Sequence, residues 1–144
     1  PQYDALEKLY KDKKAAGLVV LGFPANNFKG QEPGTNGEIQ DFCRSTYGVD
    51  FPLFSKIEVK GDHTHPLYQS LTKEKPAATA KENSELTKIL EKIGETPQKP
   101  SDILWNFEKF LVSRDGKVVA RFAPDITPDD PVVAKAIDAE LSKH

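Results

Sequence analysis

The stretch "DILWNFEKFLVSRDGKVVARFAP", residues 102–124, contains two apolar runs separated by a short polar turn. Asp115-Gly116 lies between the runs and is the strongest short-range signal for a β-hairpin, because its tight turn needs positive φ angles that glycine adopts freely. The pattern predicts antiparallel strands at residues 107–114 and 117–122. The only tryptophan of the chain, Trp105, comes just before them and is followed by Asn106. On the residues alone, the simpler interpretation is a core indole followed by a turn amide.

A second apolar run, "LVVLGF" at residues 18–23, is short, continuous and rich in valine and leucine. Such a run predicts a strand buried on both faces, as in a parallel sheet. A parallel strand needs a partner reached through a right-handed βαβ crossover. The amphipathic pattern at residues 3–16, which ends at Gly17, supplies the helix of such a unit. We therefore expect the preceding, central strand to lie upstream of Pro1.

The remaining periodic segments predict helices around these strands. Thr35 and Glu38 have the spacing of a capping box and open a helix that ends near Gly48. Further helices are predicted at residues 66–71 and 82–93, and after the turn at residues 127–130. The order predicts an α/β fold with a thioredoxin-like mixed sheet flanked by helices, in one domain over residues 1–144.

Composition limits the classes of partner. The 144 residues carry 20 Lys and Arg against 22 Asp and Glu, a net charge of -2, which gives no electrostatic reason to expect nucleic acid or an anionic membrane as partner. No apolar run approaches the roughly 20 residues of a membrane helix. His63 and His65 lack neighbouring residues at metal-ligand spacing, so we expect no metal site and no cofactor. The single cysteine, Cys43, excludes an internal disulfide and leaves the compartment open.

Two long motifs, "LVVLGFPANNFKGQEPGTNGEIQDFC" at residues 18–43 and "ILWNFEKFLVSRDGKVVARFAPDITPDDP" at residues 103–131, closely resemble the glutathione peroxidase family, above all its bacterial members. The resemblance extends over essentially the whole chain. It implies a thioredoxin-like fold and an antioxidant peroxidase that reduces hydroperoxides in oxidative-stress defence. The electrons would come from glutathione or thioredoxin. It also implies a site built from a peroxidatic cysteine or selenocysteine, a glutamine, a tryptophan and an asparagine.

Two of these positions match directly, at Trp105 and Asn106. Their indole N–H and amide groups can favour a thiolate or a polarised peroxide oxygen over the neutral form. Asn27 occupies the position of the family's glutamine and is shorter by one methylene. Ala25 replaces a family cysteine that is not a site residue. In the family the peroxidatic residue lies in a loop just before the position of Pro1, so we expect the nucleophile upstream and no activity from these residues alone.

Cys43 allows two interpretations. It is a small apolar residue on a helix face, as free cysteines commonly are, or it is a resolving cysteine. Some thioredoxin-dependent members of the family carry a resolving cysteine in this helix. Aligned from Phe51-Pro52, that cysteine falls at Arg44, one residue later, which turns the thiol by about 100 degrees around the helix.

Two hypotheses of function remain. One is a thiol-dependent peroxidase acting on hydrogen peroxide and organic hydroperoxides, which the Trp105-Asn106 pair favours. The other is a non-catalytic thioredoxin-fold module, which the exchanges at Ala25 and Asn27 favour. The residue upstream of Pro1 distinguishes them, because the peroxidase chemistry needs a cysteine or selenocysteine there.

Overall fold

The computed structural model describes residues 2–25, 34–81, 84–95, 97 and 101–143. Helices dominate these ranges, and one hairpin supplies the regular strands. The helices are α1 (Gln2–Lys13), α2 (Asn36–Tyr47), α3 (Pro66–Glu74), α4 (Glu85–Ile93) and α5 (Pro131–Leu141), and the strands are β1 (Lys109–Val112) and β2 (Val118–Phe122). None of the helices described is long and apolar enough to cross a membrane.

The helix ends follow the local signals in the sequence. A short 3-10 turn extends α1 to Gly17, which has a φ of 114°. Both halves of the capping box form at α2, where the Thr35 side chain accepts from the Glu38 N–H and the Glu38 carboxylate accepts from the Thr35 N–H. Gly48, with a φ of 63°, ends that helix. The predicted capping box and both C-terminal glycines are therefore confirmed.

The hairpin is confirmed, with shorter strands than predicted. β1 and β2 pair antiparallel in a register that places Phe110 opposite Arg121, and a bulge follows Leu111. Gly116 supplies the turn with a φ of 85°. Phe107 was predicted as the start of the first strand, but it has a φ of 66° and belongs to the preceding turn. A positive φ is incompatible with the extended conformation of a β-strand, so β1 begins only after Phe107.

The prediction of a strand buried on both faces at residues 18–23 is wrong. Within the described ranges this segment forms a single parallel bridge, between Gly22 and Leu53. Val19 and Leu21 are 62% and 51% exposed. A strand of a parallel sheet is buried when neighbouring strands pair with its edges and helices cover its faces. Here the hydrogen bonds of Gly22, to Pro52 O and from Phe54 N–H, pair the segment along one edge.

Residues 18–23 line a large open cavity, which we call the apolar cleft. Its volume is about 690 Å³. Residues 18–23 and β1 both line it, as do Tyr3 and Leu6 of α1 and Trp105 and Asn106. The cleft therefore separates the two extended segments that the predicted mixed sheet would join.

In the part of the chain that the structure describes, the core consists of three apolar clusters around the cleft. One lies between α1 and α2 and includes Cys43, and a second packs α5 against β2. The third includes Trp105 at its edge and is built on Ala25, Val59 and Ile103, which are 8%, 5% and 3% exposed. The indole is thus part of a core cluster and also reaches the cleft.

Candidate active site

Trp105 and Asn106 lie on a turn between the buried Ile103 and the start of β1, and both side chains are half-buried. We call residues 105–107 the Trp-Asn turn. Its last residue, Phe107, has a φ of 66°, a left-handed conformation that is rare for a bulky side chain. Such a conformation persists only where the surrounding contacts hold it.

Contacts among the described residues hold the Trp-Asn turn. The Leu104 N–H donates to Glu108 Oε1 at 3.0 Å, and this bond joins the residues on either side of the turn. Lys109 Nζ donates to the Phe107 carbonyl at 2.6 Å. The Phe107 ring meets the Tyr3 ring edge to face, with centroids 4.9 Å apart. The backbone entering the turn, the backbone leaving it and its last side chain are therefore all fixed.

The first turn of α1 lies against the same region. Besides the Tyr3 ring contact, Gln2 Nε2 donates to the Pro124 carbonyl at 2.7 Å. Lys109 Nζ also approaches that carbonyl, at 3.4 Å. The first turn of a helix carries N–H groups without intrahelical partners and the positive end of the helix dipole. The first turn of α1 therefore lies beside the Trp-Asn turn.

The structure brings together two of the three catalytic residues that the sequence predicts. Trp105 and Asn106 both line the apolar cleft. Asn27 lies outside the described residues. Ala25, two positions earlier in the chain, is buried in the cluster against which Trp105 packs.

Cys43 packs in a different apolar cluster from Trp105. Its side chain is 0% exposed and packs in the cluster of Tyr10, Ile39 and Phe51, whereas Trp105 belongs to another cluster. A thiol reacts as an accessible thiolate, so Cys43 would have to leave the core to resolve a sulfenic acid. The burial supports the packing interpretation, and the resolving role stays a prediction.

Sequence reasoning missed three charged residues around the turn, Glu108, Lys109 and Arg121. Burial raises the pKa of Glu108, against the opposing effects of the Leu104 N–H and Arg121. Burial also lowers the pKa of Lys109 to about 8. One signal was available, since "NFEKFLV" and "VVARF" place charges inside apolar runs, and charges there must be paired when buried. The part of the chain that the structure covers holds no group of three or more His, Cys, Asp or Glu suited to a metal ion.

The lowered pKa of Lys109 predicts a pH dependence of stability. Between pH 8 and its ordinary value of 10.5 the unfolded chain binds a proton at Lys109 that the folded chain has lost, so the free energy of unfolding rises with pH. The pKa difference limits this gain to about 3 kcal/mol, and solvent screening reduces it. Denaturant unfolding at pH 7, 8, 9 and 10 measures the gain, and Lys109→Met is the control. The prediction would be contradicted if the free energy of unfolding changed with pH in the same way in the protein and in the Lys109→Met variant.

Comparisons with known proteins agree with the fold. The family model for glutathione peroxidase matches residues 1–72. Thioredoxin/glutathione peroxidase BtuE of Escherichia coli is 52% identical over 143 residues, which cover 99% of this chain and 78% of that protein. A glutathione peroxidase of Lactococcus lactis is 44% identical over 130 residues, 90% of this chain and 70% of that one. The crystal structure of Trgpx in apo form matches with a TM-score of 0.65 at 34% identity, over 99% of this chain and 71% of that one.

Fold and relatives together define the class, an α/β peroxidase with a thioredoxin-like fold. The chain belongs to the glutathione peroxidase family.

Proposed function

We propose that this protein reduces hydrogen peroxide and organic hydroperoxides with electrons from thiols, in defence against oxidative stress. Its nucleophile is a cysteine or selenocysteine outside these 144 residues, N-terminal to α1. The observation that carries the proposal is the contact of the first turn of α1 with the Trp-Asn turn, through Tyr3 and Phe107 at 4.9 Å. A nucleophile preceding α1 would therefore lie beside Trp105 and Asn106.

The charges that develop in peroxide reduction suit this arrangement. The unpaired N–H groups and dipole of a helix N-terminus lower the pKa of a nearby thiol and so favour the reactive thiolate. The indole N–H of Trp105 and the amide of Asn106 are neutral donors that can stabilise negative charge on sulfur or on the peroxide oxygen. Asn27 is proposed as a third donor in the same role.

The chemistry runs in two parts. The thiolate attacks one peroxide oxygen, the O–O bond breaks, and the leaving alkoxide or hydroxide takes a proton, which gives a sulfenic acid and an alcohol or water. A reductant thiol then condenses with the sulfenic acid and releases water, and a second thiol reduces the resulting disulfide. The enzyme thiol is thereby restored and the reductant leaves as a disulfide.

Glutathione and thioredoxin are the two proposed reductants. The relative from Escherichia coli carries both in its name, which supports testing the two side by side. The sequence exchanges at Ala25 and Asn27 support the alternative of a non-catalytic module. Detection of Cys or Sec in the coding sequence before Pro1 would favour the peroxidase, and any other residue there would favour the module.

The 144 residues by themselves are expected to show no peroxidase activity. Their one thiol, Cys43, is fully buried and packs in a different cluster from Trp105. Oxidation of NADPH, coupled through thioredoxin reductase or glutathione reductase, measures turnover of hydrogen peroxide and cumene hydroperoxide. In the longer protein that contains the nucleophile, Cys43→Ser is expected to keep the rate with glutathione.

Three outcomes would count against these proposals. Turnover by the 144 residues that disappears in Cys43→Ser would identify Cys43 as the active thiol. Loss of turnover with thioredoxin alone in the longer Cys43→Ser protein would assign Cys43 the resolving role. A longer protein with a nucleophile but no activity toward either peroxide would favour the non-catalytic module.

A further inference from the structure

Arg121 on β2 is fully buried, and its guanidinium group is completely satisfied by hydrogen bonds. Its side chain is 1% exposed. Nε donates to Glu108 Oε2 at 2.5 Å. Nη1 donates to the carbonyls of Lys75 and Pro76 at 3.0 and 3.1 Å, and Nη2 donates to those of Ser101 and Asp102, both at 3.1 Å. These bonds match the five N–H donors that arginine offers and that lysine cannot reproduce.

Glu108 links Arg121 to the Trp-Asn turn. Its side chain is also 1% exposed. One carboxylate oxygen accepts from Arg121 and the other accepts from the Leu104 N–H at 3.0 Å. The loop that these bonds close, residues 104–108, contains Trp105, Asn106 and Phe107. Arg121 therefore fixes the Glu108 carboxylate, and this carboxylate holds the Leu104 N–H at the start of the Trp-Asn turn.

The ion pair also ties the turn to the rest of the fold. The Arg121 guanidinium lies 5.1 Å from the centroid of the Phe110 ring, its cross-strand partner. The Arg121 carbonyl accepts from the Thr79 N–H at 2.8 Å. Arg121 thus joins β1, β2, the segment after α3 and the segment before the turn. A buried ion pair costs desolvation and is often matched in stability by apolar residues of similar size, so stability alone does not explain this network.

We propose that Arg121 and Glu108 are positioning residues that hold Trp105 and Asn106 in the geometry needed for peroxide reduction. The inference rests on the proposed function, because it assigns the turn a role in that reaction. Neither residue contacts the peroxide in this proposal. Their effect passes through the backbone of residues 104–108.

The double variant Arg121→Met/Glu108→Leu separates positioning from stability, since it replaces the pair with apolar side chains of similar volume. It is made in the longer, nucleophile-containing protein, with any tryptophan outside these 144 residues changed to phenylalanine. Trp105 then reports directly on the turn. We expect red-shifted Trp105 emission and stronger quenching by acrylamide, with helix content retained. We also expect a fall in kcat of about ten- to a hundredfold, which is the scale of small misplacements of catalytic groups.

A matched control replaces an ion pair that does not touch the turn. Lys13 and Asp138 pair at 2.5 Å between α1 and α5, and Lys13→Met/Asp138→Leu makes the same chemical change there. This control is expected to keep the Trp105 spectrum and kcat. Arg121→Lys is expected to resemble the double variant, because one ammonium group cannot reach all the partners of Arg121.

The readouts distinguish the two proposals. Unchanged emission, quenching and kcat in a folded double variant would overturn the positioning role. If the double variant fails to fold, Arg121→Lys and Glu108→Gln give the same test, and parental fluorescence and kcat in both would overturn it. Altered Trp105 fluorescence in a protein that shows no peroxidase activity with any reductant would overturn the proposed function. It would leave the structural link from Arg121 to the turn intact.

Discussion

Replacing Trp105 with alanine in the nucleophile-containing protein is expected to lower the rate of peroxide reduction about a hundredfold, the usual effect of losing one donor that stabilises developing charge. Asn27→Ala is expected to lose less, because Asn27 is one methylene shorter than the family's glutamine. Trp105→Phe keeps much of the packing against Ala25 and Ile103 but removes the indole N–H. The rate with hydrogen peroxide under single-turnover conditions measures the chemical step in each variant.

The phenylalanine variant decides between the donor and packing interpretations of Trp105. A loss in Trp105→Phe nearly as large as in Trp105→Ala would assign the effect to the indole N–H. A parental rate in Trp105→Phe, together with equal and small losses in Trp105→Ala and Asn106→Ala, would mean that the pair only packs. Ile103→Val, a conservative change in the same buried cluster, controls for general loosening of the core.

The 144 residues produced on their own are expected to be marginally stable and to self-associate. Val19, Leu21 and Val112 are 62%, 51% and 47% exposed, and all three line the apolar cleft. Apolar surface left in water forgoes about 25 cal/mol per Å² of burial free energy, whereas a whole domain has only about 5–15 kcal/mol of stability. Unpaired strand edges also invite pairing with other chains. Thermal melting, binding of a hydrophobic dye and sedimentation measure this behaviour.

The contribution of the apolar cleft to self-association can be tested separately from that of the rest of the surface. Val19→Lys/Leu21→Lys is expected to reduce self-association, because two charges then block the exposed segment. Val132→Lys on α5 is the matched control, since Val132 is 39% exposed and does not line the cleft. The longer protein is expected to melt cooperatively. A monomeric 144-residue chain with a sharp two-state melt and a native-like circular dichroism spectrum would contradict the prediction.

Local signals in the sequence determined the elements whose contacts are close along the chain. Asp115-Gly116 set the hairpin, the Thr35–Glu38 capping box set the start of α2, and Gly17 and Gly48 set helix ends. In each case the deciding bonds join residues a few positions apart, so the residues themselves carry the information. The family motifs likewise identified Trp105 and Asn106 as the candidate pair.

Contacts between distant parts of the chain were decided only by the tertiary structure. The apolar run at residues 18–23 has the composition of a buried strand. Its burial depends on the strands that pair with it and the helices that cover it, and the structure leaves Val19 and Leu21 exposed. In the sequence Arg121 is one charge in a strand. In the fold it reaches Pro76 and Ser101, which lie 45 and 20 positions away. Local composition cannot specify such partners, because they are set by the packing of the whole chain.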